Sequence, residues 1–428
     1  MIFCKKAGWG MALLFLCLIF GTGRTQKIEA AVQNVPESLE EESRLDTVGT
    51  DQETERAAVR EKKGQQEKEA GDTETDQAAA AQDELLAELD FDAIQQEVDS
   101  LLSSQQFSFA GTVRSLLQDG DPFRIFRAGN AVLSCAKTAF LAQKGLMKEL
   151  FLLVLAGAVL GSFSSLFEGK QVRDASFYMV YLLALALILK NFQSSGENLK
   201  AVITSLVAFM RILTPSYYLA AAAAGGASSA VMFYQMLLLV ILAVEKLLLA
   251  LVLPMIHIYL LIALVNDLSG EEILSHMTEL LETCVNGLLK SSLGVLVGMQ
   301  MIRNLIAPAL DSLRQMALWR TAGMIPGIGN AVNAVTELVA GSAVLIRNCF
   351  GVTAMLVLLA AGMVPAVQLL VSGLSFHLLA AAAQPVSDKR IAGCLAAAGK
   401  GYAMLLRLLL TVEVLFLLTI AILAGTFS

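Results

Sequence analysis

Histidine is scarce in this sequence: three residues in 428. His257, His276 and His377 stand far apart, and none opens the HExxH spacing that holds a catalytic zinc. His276 with Glu279 is half of that motif without its second ligand. Cysteine is sparse too, six residues with no CxxC and no Cys/His cluster. Cys4 and Cys17 lie near the N terminus. Cys135, Cys284, Cys349 and Cys394 are scattered through apolar or amphipathic sequence, where cysteine is an ordinary small packing residue. No GxSxG occurs. The nearest approach to a phosphate loop, Gly393-x5-Gly399-Lys400-Gly401, is one residue too long and lacks the Ser/Thr that would hold magnesium. No patch of interleaved basic and aromatic residues suggests nucleic acid. The sequence therefore assigns no catalytic, cofactor-binding or metal-binding residue.

What the chain has in excess is apolar residues. They make up 56% of it, with a mean hydropathy of +0.64, against about 45–50% in ordinary soluble domains. Charge is unevenly placed. Residues 32–100 hold 21 acids and 6 bases, whereas residues 101–428 hold 16 acids and 21 bases. Such asymmetry separates a solvated acidic tract from the remainder.

At the N terminus, Lys5 and Lys6 precede the ten-residue apolar run Met11–Phe20. A run of that length is too short to cross a hydrocarbon core, which takes about 20 residues, but it fits an export signal. Residues 1–31 are read as that signal, with an uncleaved anchor as the alternative. Residues 32–80 contain no aromatic residue. They cannot bury enough apolar surface to offset their ordering entropy, so disorder is expected over 32–82. From Asp83, Leu85, Leu86, Leu89, Ile94, Val98 and Leu101 recur at helical spacing and predict one amphipathic helix. A second amphipathic stretch, Phe123–Leu150, carries Arg124, Arg127, Lys137, Lys144 and Lys148. It suits either an anionic membrane surface or packing on its own domain. Residues 83–149 thus form a helical juxtamembrane region.

Residues 150–428 read as a multi-helix membrane domain. Six clear spans are read among Leu150–Phe167, Phe177–Leu189, Val231–Val244, Leu247–Val265, Leu288–Ile306, Cys349–Leu374 and Tyr402–Phe427. Only Glu245-Lys246 separates the third and fourth of these, so a tight hairpin or one broken helix is expected there. Val202–Tyr218, interrupted by Arg211 and Pro215, and Ala331–Ile346 are weaker. The fold class is all-α, a polytopic membrane protein of about 6–9 transmembrane helices. Gly157/Gly161 and Gly294/Gly298 are GxxxG pairs that would let helices approach closely. Between the spans, Ser269 and Glu272 have the spacing of a capping box. Behind them, Leu274, Met277, Leu280, Leu281 and Val285 make the apolar face of a connector or gating helix.

An internal duplication would relate residues 203–302 to 314–413. Pro215 and Pro254 are 39 apart, as are Pro326 and Pro365, and Cys284 and Lys290 are echoed by Cys394 and Lys400. With eight prolines in the chain, coincidence is the competing reading. Helices broken at matching places in two halves point to a transport pathway. Pro326, Gly327, Gly329 and Asn330 read as a helix break within the bundle or at its edge. Arg347, Arg407 and Glu413 stand in or beside apolar runs. A charge at the bilayer centre costs roughly 2.5–3.5 kcal/mol, so each should face protein or water. Glu413 calls for a basic partner, with Arg347 or another subunit the candidates, or for the neutral acid form. A hydrophilic conduit and subunit-contact salt bridges remain open for these charges.

Three strings carry a family likeness: Leu213–Leu239, Leu253–Leu281 and Asn304–Asn348, with Arg320-Thr321 to Pro326-Gly327-Ile328-Gly329-Asn330-Ala331 the most specific part. They resemble the stage III sporulation protein AE family of endospore-forming bacteria, over roughly residues 120–428. The resemblance implies a subunit of a multiprotein channel between mother cell and forespore. It implies a place in the mother-cell-derived membrane around the forespore, with the N-terminal region in the intermembrane space. Its partners would be other membrane subunits, ring-forming subunits and a separate ATPase, with no enzymatic activity of its own. A stand-alone secondary transporter built from two repeats, and a non-conducting scaffold, are the alternatives. If residues 32–82 are exported, protease added to the outer face of right-side-out membranes will remove them; protection of that tract would refute the export reading.

Overall fold

The computed structural model describes residues 90–102, 107–119, 129–164, 170–223, 228–269, 274–322, 329–385 and 387–425. The export signal, the acidic tract, Pro326 and Gly327 lie outside these residues. Every regular element among the described residues is helical. In chain order they are α1 (Phe91–Leu101), α2 (Phe109–Asp119), α3 (Gly129–Ser164), α4 (Lys170–Ala223), α5 (Ser228–Leu247), a π-helical turn (Leu248–Val252), α6 (Leu253–Ser269), α7 (Ser275–Ala322), α8 (Gly329–Ala383) and α9 (Lys389–Gly425).

Several expected spans fuse. Phe177–Leu189 and Val202–Tyr218 belong to the single helix α4, which runs unbroken through the polar stretch Lys190–Lys200 and through Pro215. A proline in a helix interior costs about 3 kcal/mol. Here the burial of Leu213 and Tyr217 on either side offsets that cost, and the Thr214 hydroxyl donates to the Met210 carbonyl at 2.5 Å. The hairpin considered at Glu245-Lys246 is absent, because α5, the π-turn and α6 follow without a gap. Pro254 sits just after that turn, where Leu253 N–H reaches back to the Leu248 carbonyl. The wider turn accommodates the ring, so the break expected at Pro254 is a π-bulge. Pro365 likewise lies inside a continuous helix. The capping box also differs. Ser269 ends α6, with its hydroxyl donating to the Asn266 carbonyl at 2.8 Å. Asn266 Oδ1 instead accepts from Leu274 N–H at 2.8 Å, next to the start of α7. The connector and the span after it are one helix, α7, on which Val285 is buried while Met277 and Leu280 are exposed. The described parts of the second amphipathic stretch, residues 129–150, and of the first span, residues 150–164, also share one helix, α3.

Five helices among the described residues are long and apolar enough to cross a membrane: Phe177–Tyr217, Leu238–Ser269, Ser275–Met299, Gly341–Ala383 and Lys389–Ala421. The six to nine expected are not reached within those residues. The central helix is α9, 67% of whose most apolar stretch is buried, against 22% for α7 at the periphery. α8 and α9 form the most extensive pair, antiparallel, with α3, α4 and α6 around them. Outward faces carry large apolar side chains, including Leu182, Leu239, Ile258, Leu261, Leu374 and Leu378. A surface of this kind suits lipid rather than water.

At one end of the bundle, α1 and α2 pack against α4 and α8. Asp90 caps α1 by accepting from Ala93 N–H at 3.1 Å, and Ile94 and Val98 are its buried face. Gln95 clamps the two helices: its Nε2 donates to the Phe107 carbonyl at 2.7 Å, and its Oε1 accepts from Phe109 N–H at 2.8 Å. The Phe109 ring then meets Phe350 of α8 edge-on at 5.0 Å, with Phe91 6.2 Å from Phe350 and Tyr217 6.1 Å away. Truncating such a ring costs about 3–5 kcal/mol. Phe109→Ala is therefore expected to release α1 and α2 from the bundle end, read as new protease cleavage within residues 90–119 while the membrane domain stays intact. An unchanged cleavage pattern would show that this aromatic cluster does not hold the pair.

Candidate functional site

The α8–α9 interface is built on small residues. Along the α8–α9 interface, Gly362 faces the Glu413 carboxylate, Gly373 faces Tyr402, and Gly399 faces the His377 imidazole. A Cβ at Gly362 or Gly399 would occupy the space that those side chains fill. Glu413 is 3% exposed, between buried Val412 and Val414. Neither of its carboxyl oxygens has a hydrogen-bond partner among the described residues. The neighbouring Thr411 turns its hydroxyl onto its own helix, donating to the Arg407 carbonyl at 2.7 Å.

Arg347 is also buried, 1% exposed, on α8. It is not the partner of Glu413. Gly362 marks the level of Glu413, and Arg347 lies 15 residues before it, about 22 Å along the helix. The pairing considered from sequence therefore fails on distance. Arg347 belongs instead to the end where Phe350, Phe109 and Tyr217 gather. Arg407 is exposed on α9 and donates from Nη1 to Asn286 Oδ1 of α7 at 3.2 Å, so it ties the peripheral helix to the central one. Pro215 and Pro254 are both exposed. Gly329 and Asn330 are the first two residues of α8. The seven candidate positions among the described residues are thus not gathered into one site.

Sequence reasoning missed a second polar centre about Tyr402. Its hydroxyl accepts from Asn191 Nδ2 at 2.6 Å and lies 3.3 Å from Ser195 Oγ, both on α4. Phe376 stacks on the Tyr402 ring, and Phe192 meets it edge-on, each at 5.2 Å. Phe192 also meets His257 of α6 at 5.2 Å, and a Cβ at Gly196 would lie 2.6 Å from that imidazole. His257 Nδ1 is 2.8 Å from its own-helix Leu253 carbonyl. The only sequence signal was a polar run, Lys190–Lys200, inside an otherwise apolar helix. Nearer the other end, the Tyr181 hydroxyl donates to the Leu264 carbonyl at 2.5 Å, and Arg390 lies 5.5 Å from the Phe177 ring centre and donates to the Leu268 carbonyl at 3.4 Å. Of the GxxxG pairs, Gly157 packs with Val180 and Ile391, whereas Gly294 and Gly298 have nothing within 4 Å. No group of three or more His, Cys, Asp or Glu side chains gathers among the described residues.

The stage III sporulation protein AE family matches residues 107–426. The chain belongs to that family. A relative, stage III sporulation protein AE of Bacillus subtilis (strain 168), is 22% identical over 291 residues, covering 67% of this chain and 73% of its own. No solved structure matches. A role in sporulation follows from the family. The match takes in α2 to α9 and every candidate position, and leaves out α1 and the acidic tract.

The contact of Gly362 with Glu413 can be tested by a pair of substitutions. Overpacking of this kind costs about 1–3 kcal/mol. Gly362→Ala should lower the unfolding temperature of the purified protein, and Glu413→Ala in the same chain should recover much of the loss. Equal stability of Gly362→Ala and the parent would mean that the two helices have slack there.

Proposed function

We propose that this protein is a membrane subunit of the transport complex that joins mother cell and forespore during sporulation, and that its bundle forms part of the conduit. The observation that carries this reading is the family match over residues 107–426 on a bundle with a carboxyl group, Glu413, enclosed at its centre. An enclosed carboxyl is costly in a merely structural membrane helix, which favours a conducting role over a scaffold. On this reading the protein sits in the mother-cell-derived membrane around the forespore. The Lys5/Lys6 and Met11–Phe20 segment exports the N-terminal region into the intermembrane space. Other membrane subunits, ring-forming subunits and a separate ATPase complete the machine.

A second reading, a self-contained transporter of two repeats, draws on helix order. At the offset of 111, residues 228–269 of the first half fall at 339–380 of the second, within α8, and the turn into α7 falls close to the turn into α9. Solute uptake by liposomes holding the purified protein alone would favour it.

Glu413→Leu decides whether the enclosed carboxyl matters. Sporulation efficiency should fall at least tenfold at normal membrane abundance, with Glu413→Asp milder. Wild-type efficiency for Glu413→Leu at normal abundance would defeat the functional role given to this residue.

A further inference from the structure

One face of α4 does not fit lipid. Lys190, Ser194, Glu197, Thr204 and Arg211 recur at helical spacing on one side of the helix, and all are exposed. Lys200 and Gln193 flank them, also exposed. From Lys190 to Arg211 is 21 residues, about 31 Å of helix, close to the ~30 Å hydrocarbon core.

The depth of this stripe is fixed by ring contacts. Phe192 meets His257 at 5.2 Å, so α4 near residue 192 is level with α6 near residue 257. Phe192 and Phe376 both contact Tyr402 at 5.2 Å, so α8 near residue 376 stands at the same level. At that depth the outward residues of α6 are Pro254, Ile258 and Leu261, and those of α8 are Gln368, Leu370, Leu374, His377 and Leu378, with His377 packed against Gly399. The same bundle thus shows a lipid-compatible face on α6, a mostly apolar one on α8 and a charged face on α4. The lysines could reach along the helix toward a headgroup region. Glu197, a shorter side chain in the middle third of the stripe, cannot. Its local partner is Gln193, whose Nε2 donates to it at 3.2 Å. A charge facing lipid at the bilayer centre costs roughly 2.5–3.5 kcal/mol, and the stripe holds several.

We propose that this face of α4 lines a water-filled path through the membrane. The stripe lies on the outside of the described residues of a single chain, and these do not enclose it. Further copies of the chain, set about an axis with their α4 faces inward, supply the remaining walls. The inference deepens the conduit reading and rests on it only for the bundle crossing the membrane. It names α4, rather than the α8–α9 interior, as the wall that touches solute.

The test is thiol accessibility in membranes from sporulating cells, using the full chain with Cys284→Ser to remove its exposed native thiol. Single cysteines are placed at Ser194, Glu197 and Thr204 on the stripe, and at Leu251 and Leu261 on the α5–α6 side. The probe is a charged, membrane-impermeant maleimide, and the parent's signal is subtracted. The stripe positions should react at least tenfold faster than Leu251→Cys and Leu261→Cys, and within about tenfold of a cysteine at the turn residue Ser387. Stripe positions as unreactive as the two leucine positions, in variants of normal abundance, would overturn the proposal, whether lipid or protein covers them. As a second measurement, Glu197→Leu should reduce sporulation if water faces it. Normal sporulation for Glu197→Leu would count against the proposal, since a residue facing lipid gains by becoming apolar. Failure here, with Glu413→Leu still defective, removes the α4 wall and leaves the proposed function standing. Reactive stripe positions with normal sporulation of Glu413→Leu do the reverse.

Discussion

Everything in the bundle depends on how closely α8 and α9 approach. Lipid offers no hydrophobic drive for helices to associate, so contact and polar interactions must supply it. Glycine at 362, 373 and 399 lets one helix receive the side chains of the other, and the recipients are Glu413, Tyr402 and His377. The same device extends outward. A Cβ at Gly401 would lie 3.0 Å from Phe192 of α4, and one at Gly157 of α3 would lie 3.0 Å from Val180 of α4. The helices around α9 are therefore placed by missing side chains as much as by apolar ones.

Helix length adds a second constraint. α4 has 54 residues and α8 has 55, about 80 Å each, where a membrane span needs roughly 30 Å. Such helices project well past one bilayer or stay sheathed by protein beyond it. The end carrying Tyr217 and Phe350 is sheathed in this way by α1 and α2, whose buried faces close over it. α1 lies outside the family match and still contributes Phe91 to that aromatic cluster. α1 and α2 thus form a packed joint at that end of the bundle.

Membrane class, the helical character of nearly every segment and the burial of Glu413 and Arg347 were legible in the sequence, because hydropathy and the cost of a charge in hydrocarbon are local properties. Helix continuity was not. Polar residues at 190–200 and proline at 215 look like punctuation, yet a helix continues through both when its other face is buried at Phe192, Leu199 and Leu213. The GxxxG pattern shows the same limit. Gly157 is in contact and Gly294 and Gly298 are open, although the spacing is identical, because spacing does not say which face meets a neighbour. The Tyr402 centre was invisible for a related reason: its members come from α4, α6, α8 and α9, up to 211 residues apart in the chain.

The two kinds of charge in the membrane domain differ in what they require of the structure. Glu413 is enclosed, with the backbone at Gly362 against its carboxyl group, so nothing can reach it unless α8 and α9 separate. Interfaces packed this tightly do not yield gradually; they hold or switch between discrete arrangements. The α4 stripe is already open and needs no rearrangement to meet water. A path along α4 can therefore stand permanently formed, while any step that engages Glu413 must be gated by movement of the central pair. Arg347, about 22 Å along the same helix from the level of Glu413, sits where α1, α2 and α4 converge on α8. A force applied to α1 and α2 would act first at that end, and the continuous helix α8 connects it to Gly362. The geometry thus links the packed α1–α2 end of the bundle, through one helix, to the enclosed Glu413 carboxyl group.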